Sequence, residues 1–251
     1  RVFLAGDAAH LTPPFAGQGM NSGLRDAHNL AWKLAQACFS ENASRLLDSY
    51  EAERRPHAWQ MITMARRMGQ VMMPNSALRG AILRGLFHAV NVFPPARNYF
   101  AQMKFKPKPR FCSGMIWPDR FKASGTLIGQ MLCQPIVETV DAERFPLDAL
   151  LPDQPIVLIY AECPEKMLNQ SVLEQLLNHG AALFGITPEY VKPVDAKFPI
   201  VRDQAKFFSQ KPYAHYLGHA FLIRRDRYIA APAPCHNSIG LLEALHALTP
   251  N

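Results

Sequence analysis

The sequence predicts an α/β protein whose two parts differ in character. Near its start, an apolar run at residues 2–5 precedes a glycine-rich turn and apolar residues at helical spacing, which is the order strand, turn, helix. Residues 44–103 have helical periodicity, with a break near Pro74-Asn75 and a stop at Pro94-Pro95. Beyond residue 125, short apolar runs alternate with helical segments, which is typical of helices packed on a mixed sheet.

The second part contains the clearer element signals. Apolar runs predict strands over residues 135–137, 156–160, 182–186, 220–223 and 228–230. Helical spacing predicts helices over residues 165–179 and 240–248, and Asp226 is expected in a tight turn that joins the last two strands as a hairpin. Proline and lysine interleave over residues 106–124, which are therefore predicted to link a first domain, 1–105, to a second, 125–251.

Composition limits the function classes. At 251 residues and 49% hydrophobic, the chain can bury a sizeable core. No apolar stretch reaches the roughly 18 residues that span a bilayer, so no membrane association is expected and the expected location is the cytoplasm. The five cysteines are odd in number, widely spaced and without a Cys-x-x-Cys pair; buried free thiols are expected, rather than disulfides or zinc ligands.

The net charge of +7 raises the alternative of nucleic-acid binding. The basic residues cluster at Lys104, Lys106, Lys108 and Arg110, and again at Arg224, Arg225 and Arg227. They alternate with apolar residues and no recognition motif accompanies them, so solvated faces are favoured and no nucleic-acid partner is expected. The excess charge would instead attract an anionic ligand.

An acid, a glycine-rich turn and a helix start share one short run: Gly6-Asp7-Ala8-Ala9-His10, then Pro13-Pro14, then Gly17-Gln18-Gly19-Met20-Asn21-Ser22-Gly23. A carboxylate at the end of a strand, such as Asp7, can accept two hydrogen bonds from a sugar diol. Gly17 and Gly19 allow positive φ and leave room for a planar ligand.

A helix is expected to begin near Asn21 and to bury a stripe made of Leu24, Ala27, Ala31 and Leu34. The free N–H groups at its start would favour an electron-rich or anionic oxygen. The plainer alternative is a loop that only joins a strand to a helix.

The whole string, continued by Asp26 and by Asn29-Leu30-Ala31-Trp32-Lys33-Leu34, resembles the second FAD-binding fingerprint of the flavoprotein aromatic hydroxylases, the class A monooxygenases. The run from Asp48 to Pro56 resembles the helix that follows it in that family. Residues 91–109, with their Pro-Pro and Phe-Lys-Pro runs, resemble the branch that hydroxylates 3-(3-hydroxyphenyl)propionate.

The resemblance implies part of a Rossmann-like FAD-binding domain with a helical segment, followed by a thioredoxin-like α/β domain. It implies that Asp7 holds the FAD ribose, that the amides of Met20 and Asn21 meet the flavin pyrimidine edge, and that Pro14 lies by the ring. The full cofactor-binding set is Gly6, Asp7, Pro14, Gly17, Gly19, Met20 and Asn21. The implied reaction is ortho-hydroxylation of a phenolic substrate with NADH or NADPH and O₂; no catalytic residue and no metal ligand is assigned.

The chain contains no Gly-x-Gly-x-x-Gly opening a βαβ unit, the element that seats a pyrophosphate. The resemblance therefore implies the carboxyl-terminal half of a flavoenzyme, which alone is expected neither to hold FAD tightly nor to turn over. Two alternatives stay open. One is a related phenol or polyketide-ring hydroxylase; the other is a non-catalytic interaction module whose thioredoxin-like part makes homodimer contacts.

Four other features receive simpler interpretations. Cys163 is a single thiol where dithiol exchange needs two, although it could be activated at a helix start. His215 and His219 are four residues apart, but Pro212 and Gly218 disfavour a regular helix between metal ligands. His10 could contact a cofactor or stabilise the turn, and the resemblance favours the second role. The pairs Glu51/Arg55 and Glu53/His57 are expected on a solvated helix surface.

Overall fold

The computed structural model describes residues 2–40, 43–103, 105–117, 126–237 and 239–248. The described chain forms two compact units. The first contains the residues up to Ala31 together with Tyr50–Pro109, and the second contains Trp32–Ser49 together with the residues from Arg110 onward. Part of the expected linker, residues 118–124, lies outside the described residues, and residues 105–117 contain no helix or strand.

The first half of the chain is helical, as its periodicity predicts. Its helices are α1 (Gly19–Ala37), α2 (Ser44–Met72), α3 (Ala77–Val92) and α4 (Pro94–Ala101). The predicted break near Pro74-Asn75 is confirmed, and Ser76 caps α3 by accepting a hydrogen bond from the Arg79 amide at 3.2 Å. Pro94 and Pro95 end α3, but they also open α4, because the first turn of a helix needs no N–H from proline.

The predicted strand at residues 2–5 is not present. The backbone there is extended, with φ −142° and ψ 154° at Ala5, but none of the described strands pairs with it. Extended backbone without a neighbouring strand lacks the ladder of hydrogen bonds that defines a sheet. The Tyr50 hydroxyl instead donates to the Leu4 carbonyl at 2.8 Å and fixes this segment.

The second unit contains a seven-stranded mixed sheet in the order β2-β1-β5-β4-β3-β6-β7. Its strands are β1 (Ile136–Glu138), β2 (Arg144–Pro146), β3 (Ile156–Tyr160), β4 (Ala182–Thr187), β5 (Ile200–Arg202), β6 (His219–Ile223) and β7 (Ile229–Pro234). Its helices are α5 (Leu147–Leu150), α6 (Gln170–Asn178) and α7 (Ile239–Leu248). All five predicted strands of this part are confirmed; β2 and β5 were not predicted.

The order and pairing of these elements agree with the thioredoxin-like arrangement that the resemblance implies. β3 and β4 are parallel and are connected by α6, and the antiparallel pair β6 and β7 is followed by α7. All five residues of β3 are buried, as expected for a central strand covered on both faces. Val157 and Ile159 pack with α6 and α7 on one face, whereas Leu158 and Tyr160 belong to the core on the other. The predicted helix over residues 165–179 is shorter, because the Asn169 side chain caps α6 by accepting from the Val172 amide at 2.8 Å.

The turn between β6 and β7 holds Asp226, as predicted, but the basic residues beside it are not all solvated. Arg224 is 5% exposed and its guanidinium pairs with the Asp226 carboxylate at 2.6 and 3.0 Å. The same guanidinium lies over the Phe111 ring at 5.1 Å and the Trp32 ring at 5.2 Å. The expectation of a solvated face is therefore wrong for Arg224, because the aromatic rings and the carboxylate replace its water.

Candidate functional site

The glycine-rich turn folds against the start of α1. Gly6 has φ +59° and Gly17 has φ +56°, both in the left-handed region that glycine favours. Gly19 does not have positive φ; it begins α1, two residues before the predicted start at Asn21. A Cβ built on Gly23 would lie 3.3 Å from the Gly6 Cα, so a glycine at 23 lets the turn approach the helix backbone.

The carboxylate of Asp7 is exposed beside the first turn of α1. A Cβ built on Gly19 would lie 3.8 Å from the Asp7 Oδ1, and a Cβ built on Gly17 would meet nothing within 4 Å. The first backbone hydrogen bond that enters the helix joins the Ser22 amide to the Gln18 carbonyl at 2.9 Å. The amides of Gly19, Met20 and Asn21 precede it and have no acceptor within the helix. An acceptor group thus lies beside amide donors that the helix itself does not satisfy.

The structure places the seven predicted site residues in this turn and helix start. Gly6 and Gly19 are half-buried, and the remaining five are exposed: Asp7, Pro14, Gly17, Met20 and Asn21. Met20 is 76% exposed although it is apolar, so the surface at the start of α1 combines apolar area with free amide donors. Such a surface suits a flat ligand with polar edges.

The buried Asp26 of α1 holds this turn in place, a role that the sequence did not predict. It is 1% exposed, and its Oδ2 accepts from the Gly6 amide at 3.0 Å and lies 2.7 Å from His10 Nε2. Its Oδ1 accepts from Arg54 Nε at 2.8 Å. His10 therefore stabilises the turn, as expected, by contacting the same Asp26 carboxylate that accepts from the Gly6 amide. The sequence signal for Asp26 is an acidic residue within a helix that directly follows a glycine-rich motif, since Asp is rarely buried unless it is paired.

The same helix pair is joined by a second polar contact. Asn29 Nδ2 donates to Glu53 Oε2 at 2.7 Å, and both residues are 1% exposed. The exposed pair of Glu51 with Arg55 is confirmed at 2.7 Å. The expected surface pair of Glu53 with His57 is wrong, because His57 is buried and neither of its ring nitrogens has a hydrogen-bond partner within the described chain.

The predicted buried stripe of α1 is also wrong. Leu24 is 61% exposed and Leu34 is 39% exposed, and Ala27 and Ala31 are exposed as well. The buried positions lie on the polar side of the helix: Ser22, Asp26, Asn29, Leu30 and Lys33. Two charged side chains of α2 hydrogen-bond to this side of α1, Arg54 to Asp26 and Glu53 to Asn29, so the buried side is largely polar, unlike that of a usual amphipathic helix.

The remaining candidates do not form a site. His215 lies in a 3-10 turn and His219 begins β6, so they share no helix. The described residues contain no group of three or more His, Cys, Asp or Glu side chains placed to hold a metal ion. Cys163 is exposed next to a three-residue 3-10 turn. The expectation of buried thiols is wrong for three of the five cysteines, since Cys38 and Cys112 are exposed as well.

Comparison with known proteins bears on both parts of the chain. Residues 1–65 match the FAD binding domain family, and residues 129–248 match the HcaD C-terminal domain family. A 3-(3-hydroxy-phenyl)propionate/3-hydroxycinnamic acid hydroxylase of Mycolicibacterium smegmatis is 33% identical over 92% of this chain and 42% of its own length. A second, from Burkholderia vietnamiensis, is 32% identical over 100% of this chain and 47% of its own length.

The chain is homologous to the FAD-dependent aromatic hydroxylases. It spans less than half the length of the curated hydroxylases it matches. Two solved structures share its fold, each with a TM-score of 0.65. The flavin-dependent monooxygenase PieE, in complex with FAD and substrate, is 21% identical, and the match covers 99% of this chain and 47% of PieE. The OxyS anhydrotetracycline hydroxylase of Streptomyces rimosus is 24% identical, and the match covers 100% of this chain and 45% of OxyS. None of the described helices is long and apolar enough to cross a membrane.

Proposed function

We propose that this chain supplies one side of the FAD site of an aromatic hydroxylase. The site comprises Gly6, Asp7, Pro14, Gly17, Gly19, Met20 and Asn21. The observation that carries the proposal is the position of the exposed Asp7 carboxylate beside the first amides of α1, which have no acceptor within the helix. An FAD ribose needs an acceptor for its diol, and the pyrimidine edge of a flavin needs donors for its carbonyl oxygen, so the residues present fit this cofactor.

Each group would act through simple electrostatics. Asp7 would accept hydrogen bonds from the ribose hydroxyls, and the amides of Met20 and Asn21 would donate to the pyrimidine edge. The positive end of the α1 dipole would favour negative charge at that edge, which develops when the ring is reduced. Pro14 would lie next to the ring and limit the access of water. When bound, FAD supplies the redox chemistry that activates oxygen.

The names of the relatives support a proposal for the substrate. Both curated relatives carry a name that specifies 3-(3-hydroxyphenyl)propionate and 3-hydroxycinnamate. We propose ortho-hydroxylation of a phenol of this kind, with O₂ and either NADH or NADPH, by a cytoplasmic enzyme that forms a homodimer. Assays of 3-(3-hydroxyphenyl)propionate against plain phenol and a polyketide ring distinguish this reaction from those of related hydroxylases. Hydroxylation of phenol alone would contradict the proposed substrate.

The proposed domain division is residues 1–105 for flavin binding, 106–124 as linker and 125–251 as the thioredoxin-like domain. The FAD binding domain match ends at residue 65 and the HcaD C-terminal domain match begins at residue 129, which supports a boundary between them. Limited proteolysis followed by mass spectrometry tests it. First cleavages within residues 106–124 are expected, and first cleavages elsewhere would argue against this boundary.

The test of the cofactor site is Asp7→Ala in the longest natural polypeptide that contains this chain. FAD affinity is expected to fall at least tenfold, since a hydrogen bond to a charged group contributes roughly 1.5–3 kcal/mol. The thermal unfolding temperature of the apoprotein is expected to stay unchanged, because Asp7 is exposed. The control is Asp153→Ala, at another exposed position. Unaltered FAD affinity in Asp7→Ala would remove the assignment.

A further inference from the structure

A cavity of about 350 Å³ lies within the first unit, next to the first two turns of α1. It is lined by Ser22 and Arg25 of α1, by His57 of α2 and by the turn and irregular segment that follow α4. Its volume is within the range of small-molecule sites, roughly 300–1,000 Å³. Asn21 also lines it, and the proposed flavin contact of Asn21 uses its backbone amide.

Two buried polar side chains line this cavity without partners. Ser22 is 4% exposed and His57 is 5% exposed. Within the described chain, Ser22 Oγ and both ring nitrogens of His57 make no hydrogen bond. Buried polar atoms are nearly always satisfied in folded proteins, by protein groups, water or ligand, so two unsatisfied groups on one cavity point to a ligand with hydrogen-bonding atoms.

Burial and the positive charges of Arg54 and Arg25 lower the pKa of His57 to about 4. The carbonyl of Pro107 and the negative charge of Asp26 act in the opposite direction, with smaller effect. His57 is therefore neutral near pH 7 and offers one donor and one acceptor. Its donor and the Ser22 hydroxyl can both bind an oxyanion.

The charged residues that line the cavity are all positive. They are Arg25, Lys106 and Lys108, and no Asp or Glu is among the described lining residues. The nearby Asp26 carboxylate contacts Arg54, His10 and the Gly6 amide. The structure shows no ion pair for the three lining cations with any described carboxylate. Cations around a partly enclosed space favour an anionic ligand.

The rest of the wall is apolar. Met61 is 4% exposed, and Met103, Pro107 and Pro109 line the space with it. Methionine and proline offer adaptable or flat surfaces to an apolar body and cannot satisfy a fully hydrated ion such as free phosphate. The preferred occupant thus carries one charged end and a short hydrophobic end.

We propose that this cavity is a binding site for a small organic carboxylate, with Arg25 and Lys106 attracting the carboxylate, Ser22 and His57 donating hydrogen bonds to it, and Met61 contacting its apolar part. The site is formed by the described residues of the first unit and does not depend on the flavin site being correct.

Isothermal titration of the whole 251-residue chain tests the proposal, with 3-phenylpropionate as the probe. One site is expected, with affinity at least tenfold higher than for the neutral 3-phenylpropanamide, because only the acid offers charge to the cations. Inorganic phosphate should not displace it at equal concentration. Equal binding of acid and amide, no binding of either, or displacement by phosphate would each overturn the proposal.

Variants locate the site. Arg25→Met and, separately, Lys106→Met are each expected to weaken 3-phenylpropionate binding at least fivefold, whereas Arg55→Met is expected to leave it unchanged. Arg55 is the matched control, since it is a cation on α2 that is exposed and does not line the cavity. Circular dichroism and thermal unfolding confirm that each variant is folded. Full binding by folded Arg25→Met and Lys106→Met would overturn the assignment. FAD titration of the same substitutions in the longest natural polypeptide that contains this chain keeps this result separate from the flavin site.

Discussion

Arg54 Nε donates to Asp26 Oδ1 at 2.8 Å, and both side chains are at most 4% exposed. This ion pair joins α2 to α1 across 28 residues of sequence. The other oxygen of the same carboxylate accepts from the Gly6 amide, the residue directly before Asp7. The position of the proposed ribose-binding acid therefore depends on a buried ion pair that itself touches no ligand.

Asp26→Asn is expected to destabilise the protein strongly. The substitution keeps the shape but leaves the Arg54 guanidinium buried without its counter-charge, which costs about 3–5 kcal/mol. Urea unfolding at pH 7, followed by circular dichroism, measures it. The control is Glu51→Gln, which removes an exposed ion pair and should cost about 0–1 kcal/mol. Equal midpoints for the two variants would contradict the structural role of Asp26.

The order of elements was predictable from sequence because it depends on local patterns. The β3 run of five apolar residues and the break at Pro74-Asn75 carry their own signals. The buried face of α1 was not predictable in this way. Asp26 pairs with Arg54, 28 residues away, and Asn29 hydrogen-bonds to Glu53, 24 residues away. No local periodicity predicts such pairing.

Two strands escaped prediction for a related reason. β2 and β5 have three residues each, as β1 does, and over so short a length the local pattern is a weak guide that identified β1 but neither of these two. They form only beside strands that the rest of the chain provides: β2 along β1, and β5 between β1 and β4. The residues of the candidate flavin site were found from sequence because they are contiguous, whereas the cavity beside His57 joins segments about 80 residues apart.

Gly129→Ala is expected to be far more disruptive than Gly180→Ala. Both glycines have left-handed φ, at +74° and +75°, and a left-handed residue with a Cβ costs about 1–2 kcal/mol. At Gly129 the added Cβ would also overlap the Phe111 carbonyl oxygen, whereas at Gly180 it would meet no described atom within 4 Å. Urea unfolding of both variants should show a loss at Gly129 that exceeds the loss at Gly180 by at least 2 kcal/mol. Similar losses would mean that the Phe111 backbone moves away freely.

The five thiols are expected to react with Ellman's reagent in two groups. Cys38, Cys112 and Cys163 are exposed and should be labelled first at pH 7.5. Burial raises the pKa of Cys133 to about 12 and that of Cys235 to about 11, so these two should react only after unfolding. Cys→Ser variants assign each phase. A Cys163 rate well above that of Cys38 would revive the activated-thiol alternative, and a rate similar to that of Cys38 would eliminate it.

His57 is expected to make stability depend on pH between about 6.5 and 4. Its pKa falls from 6.5 when unfolded to about 4 when folded, so the unfolded chain binds the extra proton in this window. The stability that the neutral ring contributes is complete above pH 6.5 and is lost as the pH falls towards 4, by about 3 kcal/mol in total. Urea unfolding at pH 7.5, 5.5 and 4.5 in phosphate-free buffer should show this slope in the parent and in His28→Gln, an exposed control, but not in His57→Gln. An imidazole resonance of His57 that titrates at or above pH 6.5 would show instead that the ring is not desolvated as described.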